Sequence, residues 1–148
     1  MELAKLSDEF NEIKKEFSAK ATNAVNEEFK KIFDKYPELT GIKWSQYTPY
    51  FNDGDTCEFG VYDWYITNGD PALMSVWGEY DDGSDDVPDE IFVYDSYCDK
   101  TKKYIDIWDL EKFAGTEIGS DVFYSAFGDH CRVTVTREGI DVEEFVHD

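Results

Sequence analysis

Tyr36-Pro37-Glu38-Leu39-Thr40-Gly41-Ile42-Lys43-Trp44-Ser45-Gln46-Tyr47-Thr48 is the stretch that decides the fold, because the hydrophobic period changes within it. Upstream, Leu3, Leu6, Phe10, Ile13, Phe17, Ala21, Val25, Phe29, Ile32 and Tyr36 recur at spacings of three and four, which is one face of a helix. Pro37 disfavours helical backbone at the residue before it, so the helix is predicted to stop at Tyr36. From Gly41 onward, Ile42, Trp44, Tyr47 and Thr48 supply the β-branched and aromatic side chains of a strand. A helical segment over 1–40, then a mainly antiparallel sheet with short helices over 41–148, predicts an α+β class. One domain is expected, with the N-terminal helix packed on the sheet.

Toward the N-terminus, Ser7 followed by Asp8 and Glu9 suits an N-cap with an acidic first turn. A helix from 7 to 36 would run about 45 Å at 1.5 Å per residue, longer than a domain of this size is wide. Either a break near Ala19–Asn23 or a projecting end is therefore expected. The apolar stripe is read as core packing. A helix–helix seam, joining a homodimer or a structural oligomer, is the alternative.

Toward the C-terminus, Asn52-Asp53-Gly54-Asp55 is a turn signal and Cys57 to Ile66 a returning strand, giving a hairpin over 42–66 with Pro49 near its end. Asn68-Gly69-Asp70-Pro71 reads as a second turn, Leu73 to Tyr80 as a third strand weakened by Gly78, and 81–86 as a loop. Ile91 to Tyr97 suits a short strand or a helical turn. Ile107 to Ala114 and Glu117 to Phe127 read as short helices, the second ended by Gly128. Arg132 to Thr136 and Ile140 to Phe145 alternate around Arg137-Glu138-Gly139 as a terminal β-hairpin.

Charge narrows the function. The chain carries 14 Lys+Arg against 34 Asp+Glu, a net charge of -20. Residues 1–40 are nearly balanced, whereas 41–99 hold Lys43 alone among many carboxylates. Direct binding to nucleic acid needs clustered Lys and Arg, so it is excluded as an expectation, as is docking on an anionic membrane. No apolar run is long enough for a membrane helix, and Met1-Glu2-Leu3-Ala4-Lys5 does not open like a signal peptide. A cytoplasmic location follows as the expectation, with Cys57, Cys98 and Cys131 reduced and buried.

Catalytic and metal signals are weak. His130 and His147 are the two histidines, and neighbours on a strand such as His130 and Cys131 point to opposite faces. No closely spaced Cys/His pairs suggest zinc. Placing Gly83 at the sixth position of a calcium loop puts Gly78 at the first, where Asp is required. Nucleotide-cradling glycine motifs are absent. No enzyme, cofactor or metal is expected.

Gln46-Tyr47-Thr48-Pro49-Tyr50-Phe51-Asn52-Asp53-Gly54-Asp55, followed by Cys57 and Phe59, resembles a motif in a group of small acidic proteins of T-even-type bacteriophages and scattered bacterial genomes. Phe127-Gly128-Asp129-His130, Val133 to Phe145, and His147-Asp148 are similar to the C-terminus of the same group. The matching segments cover about a quarter of the chain. The resemblance implies a phage or prophage origin and carries no activity.

Three functions are weighed. The first is a non-enzymatic accessory protein whose acidic surface occupies a basic site on a host nucleic-acid-binding or defence protein, as DNA would. Its carriers are Asp81, Asp82, Asp85, Asp86, Asp89 and Glu90, then Asp53, Asp55 and Glu58. The plain alternative is that the charge only keeps an aromatic-rich chain soluble. The second is a small-molecule or nucleotide pocket lined by Trp44, Tyr47, Tyr50, Phe51 and Trp64, against which the scarcity of cations in 41–99 counts. The third is an oligomer built through the N-terminal helix.

Overall fold

The computed structural model describes residues 2–50, 54, 56–67, 104–146 and, as strand backbone, 90–92. In chain order the elements are α1 (Glu2–Lys35), β1 (Gly41–Tyr47), β2 (Gly60–Thr67), β3 (Glu90–Phe92), α2 (Ile105–Ala114), α3 (Glu117–Phe127), β4 (Cys131–Thr136) and β5 (Gly139–Glu144). The strands form one antiparallel sheet in the order β3-β2-β1-β4-β5, with the terminal hairpin on one edge. The architecture is α+β, with helices covering one face of the sheet. The sequence-based strand at 73–80, the turn at 68–71 and the loop at 81–86 lie outside the described residues.

Strand alternation sets the two faces. Ile42, Trp44 and Gln46 point to the helices, and Lys43, Ser45 and Tyr47 to the other side. A bulge keeps β2 in phase with this pattern. Lys43 stands opposite Tyr65 but Ser45 opposite Tyr62, so Asp63 and Trp64 share the place across from Trp44. Asp63 takes a left-handed backbone, φ 59°, to absorb the extra residue. Trp64 and Ile66 then reach the same face as Trp44. On that face Phe29 of α1 stacks on Trp44 at 5.4 Å, and Trp44 on Trp64 at 4.6 Å. Phe123 and Phe127 of α3 close the cluster edge-on to Trp44.

A buried amide ties this layer together. Gln46 is fully buried; its Oε1 accepts from Trp44 Nε1 at 2.9 Å, and its Nε2 donates to the carbonyls of Phe123 at 3.1 Å and Gly128 at 2.6 Å. Gly128, at φ 91° and ψ -172°, a backbone that glycine adopts freely, ends α3. Gly119 lets α3 approach the Phe113 carbonyl at the α2–α3 corner, where a Cβ would collide with it.

α1 departs from expectation at its start. It begins at Glu2, not Ser7, and has no break near Ala19–Asn23. The projecting end is the alternative realised: residues 2–17 are all exposed. Contact with the globular end begins at Ser18, whose Oγ donates to the Ser125 carbonyl at 2.5 Å. From Ala21 the stripe is buried through Val25, Phe29, Ile32 and Phe33. The reading of Leu3, Leu6, Phe10, Ile13 and Phe17 as core is thereby corrected. A 34-residue helix is about 51 Å long, roughly twice the length of a seven-residue strand. At the other end, Arg137 Nη2 donates to the carbonyls of Phe33, Tyr36, Pro37 and Leu39 at 2.9–3.1 Å, closing the C-terminus of α1.

Cys57 and Cys131 are free thiols, the first half-buried and the second buried; Cys98 lies outside the described residues. Burial, and then the charge of Asp129, pushes the Cys131 thiol up to about 11. At pH 8 only about one Cys131 in a thousand is then thiolate, the reactive form. Alkylation of the native protein is expected to spare Cys131 until denaturant is added. Peptide mass mapping after timed labelling checks this, and early Cys131 modification would contradict it.

Candidate functional site

Burial of cations sharpens the acidity of the globular end. Among the described residues of 41–146 the cations are Lys43, Lys112, Arg132 and Arg137. Lys43 is 2% exposed and Arg132 4% exposed. Lys43 Nζ lies 5.1 Å from the Tyr65 ring centroid, while Arg132 stacks on Phe145 and its Nε donates to Ser45 Oγ. Arg137 is held against the end of α1. Lys112, on the last turn of α2, and Arg137 are the two of these cations that are exposed. Carboxylates, by contrast, face solvent on every side, including Asp141, Glu143 and Glu144 along the edge strand β5.

Three carboxylates line one hollow. Glu58, just before β2, and Glu117 and Asp121 on α3 ring an open hollow of about 710 Å³. Its floor and walls include Phe59, Tyr62 and Tyr124, with Phe59 and Tyr124 edge-to-face at 5.1 Å. Glu117 and Asp121 share a face because they are four residues apart on a helix. Thr116 fixes that helix, its Oγ1 accepting from Gly119 N at 3.0 Å. The hollow's potential is negative. Burial, then the charges of Asp63 and Glu58, raises the Tyr62 phenol above its usual range and keeps it neutral. Carboxylates around aromatic faces match the side chains of Arg and Lys, which take ion pairs at their tip and ring contacts along their stem.

The sequence-predicted residues fall into distinct groups. Glu58 is exposed at the hollow. Glu90 starts β3, its backbone opposite Thr67. Asp53, Asp55, Asp81, Asp82, Asp85, Asp86 and Asp89 lie outside the described residues, as does Phe51. The four described members of the aromatic set do not line one pocket, although Trp44 and Trp64 stack on each other. Trp44 and Trp64 are fully buried in the helix-covered core. Tyr47 sits on the opposite face between Tyr62 and Phe145, and Tyr50 stacks on His130 at 5.1 Å near the surface. Alternation along β1 separates Trp44 from Tyr47. The hollow itself was not read from the sequence. The Glu117/Asp121 spacing was visible, but only the tertiary fold adds Glu58.

Asp129 has a structural part. It accepts from Thr48 N at 2.8 Å, Thr48 Oγ1 at 2.7 Å and its neighbour His130 N at 2.8 Å, pinning the end of β1 to the α3–β4 corner. Burial pushes its pKa up, but these hydrogen bonds outweigh that, and the carboxyl ends below its usual range. A depressed carboxyl contributes stability above its unfolded pKa, near 3.9, and loses it as pH falls through the folded value. Asp129→Asn is expected to cost about 1–2 kcal/mol at neutral pH and to flatten the loss below pH 4. Urea unfolding from pH 7 to 3 tests it; parallel wild-type and variant curves would contradict it.

Among the described residues no group of three or more His, Cys, Asp or Glu side chains is placed to share a metal ion, and no helix is long and apolar enough to cross a membrane. No protein-family model matches the chain, and no curated protein or solved structure matches it.

Proposed function

We propose that the protein is a non-enzymatic interaction protein whose acidic globular end occupies a basic, nucleic-acid-binding surface on a host protein. The observation that carries this reading is the hollow of Glu58, Glu117 and Asp121 around Tyr62 and Tyr124, on a body where two of the four described cations of 41–146, Lys43 and Arg132, are buried. Arg or Lys side chains of the partner enter the hollow. The carboxylates Asp81, Asp82, Asp85 and Asp86, and those of β5, extend the attraction. Duplex DNA carries one charge per about 1.7 Å, so a rigid carboxylate surface competes for the same groove. The similarity of residues 46–55 to small acidic phage proteins supports a bacterial host as the setting.

The immobilised protein is expected to retain, at low salt, a bacterial protein that DNA-cellulose also retains, and added duplex DNA should elute it. Retention should fall steeply as salt rises. Retention of nothing, or of proteins that DNA does not displace, would contradict the reading.

A further inference from the structure

The projecting half of α1 carries an apolar seam that the fold leaves uncovered. Leu3, Leu6, Phe10, Ile13 and Phe17 are 68%, 59%, 59%, 61% and 45% exposed. Their spacings of three, four, three and four place them at alternating a and d positions of a heptad, with Leu3, Phe10 and Phe17 at a. The seam is rotated about a quarter-turn from the face that α1 lays on the sheet, taking 100° per residue, and leaves that packing undisturbed. Residues 2–17 extend a helix whose second half is packed, and their apolar side chains remain in water.

We infer that this seam pairs with the same seam of a second copy, as a parallel two-stranded coiled coil. The flanking charges select both the occupant and the direction. The g positions are Glu2, Glu9 and Glu16, and the e positions include Ser7 and Lys14. In a parallel pair, g of one helix faces e of the next heptad on the other, so Glu9 meets Lys14 of the second copy, twice by symmetry. In an antiparallel pair g faces g, which sets glutamate against glutamate throughout. Lys14 already lies along the seam, its Nζ 5.3 Å from the Phe10 ring centroid. The coil ends after Phe17, since Ala21 is buried against the globular end. Pairing sets two acidic ends side by side and lets them engage a repeated basic surface together.

Sedimentation equilibrium over a hundredfold range of concentration tests the inference on the full chain. The expected mass is twice the 17.2 kDa of one chain. Phe10→Asp with Ile13→Asp should give a monomer with unchanged near-UV circular dichroism, because residues 2–17 make no part of the core. Glu9→Lys alone and Lys14→Glu alone should each weaken the dimer about tenfold or more, and an equal mixture of the two should restore it. A monomer at every concentration overturns the inference, including a monomer that instead binds another protein or an uncharged lipid vesicle. So does a mass of three or four chains, a dimer that survives the seam change, or one indifferent to the charge exchange.

Discussion

Trp44→Ala is expected to remove about 4–5 kcal/mol of stability, enough to unfold a domain of ordinary stability at 37 °C. Trp44 is fully buried between Phe29 and Trp64, with Phe123 and Phe127 on its edges, so truncation empties the centre of the core. It also orphans Gln46 Oε1, which accepts the indole N–H. Chemical denaturation followed by Trp fluorescence and circular dichroism measures the loss. The aromatic-pocket reading of Trp44 makes the opposite forecast, a folded protein that has lost a ligand. A variant within about 1 kcal/mol of wild type would revive that reading.

Gln46→Leu is expected to cost about 3 kcal/mol despite adding apolar volume. The amide bonds three groups at once, the buried indole N–H of Trp44, the carbonyl of Phe123 and the half-buried carbonyl of Gly128, which Cys131 Sγ also approaches. Each group left without a partner costs about 1–3 kcal/mol, and leucine returns only part of that as burial. The damage should concentrate at the end of α3, so amide exchange near Gly128 should rise more than elsewhere. Pairing Gln46→Leu with Trp44→Phe, which deletes the indole N–H, should cost less than the sum of the two changes. Strict additivity would show that the amide is not the hub the geometry describes.

Much of the fold was legible in the sequence because its signals are local. Pro37 marked the end of α1, alternation gave the terminal hairpin, and Gly128 marked the end of α3. What the sequence concealed depends on contacts between distant segments. Spacings of three and four run without a break from Leu3 to Tyr36, and the gradual turn of the stripe does not by itself say that its first half finds no sheet beneath it. The bulge at Asp63 is invisible in a run that reads as plain strand, yet it decides that Trp64 joins the core. Nothing local in the strand marks Gln46, a polar residue, as fully buried. Arg137, read as part of a turn, reaches back about a hundred residues to close a helix. The acidic character was plain from composition, but the inward turn of Lys43 and Arg132, and the meeting of Glu58 with Glu117 and Asp121, needed the three-dimensional arrangement.

The central claim, binding by a carboxylate surface that competes with DNA, is tested most directly by surface plasmon resonance against the DNA-displaceable partner at two salt concentrations. Two variants are compared with wild type: Glu58→Gln with Glu117→Gln and Asp121→Asn in the hollow, and Asp81→Asn with Asp82→Asn, Asp85→Asn and Asp86→Asn in the loop. Loss of the loop charges should slow association more than it speeds dissociation, with about 1–4 kcal/mol lost if exposed pairs of roughly 0.2–1 kcal/mol add. Loss of the hollow's charges should speed dissociation, because ion pairs made beside the aromatic faces of Phe59, Tyr62 and Tyr124 hold the bound state. Fold stability should hold or rise slightly as self-repulsion is relieved. Affinity that is indifferent to salt and unchanged in both variants would contradict the account.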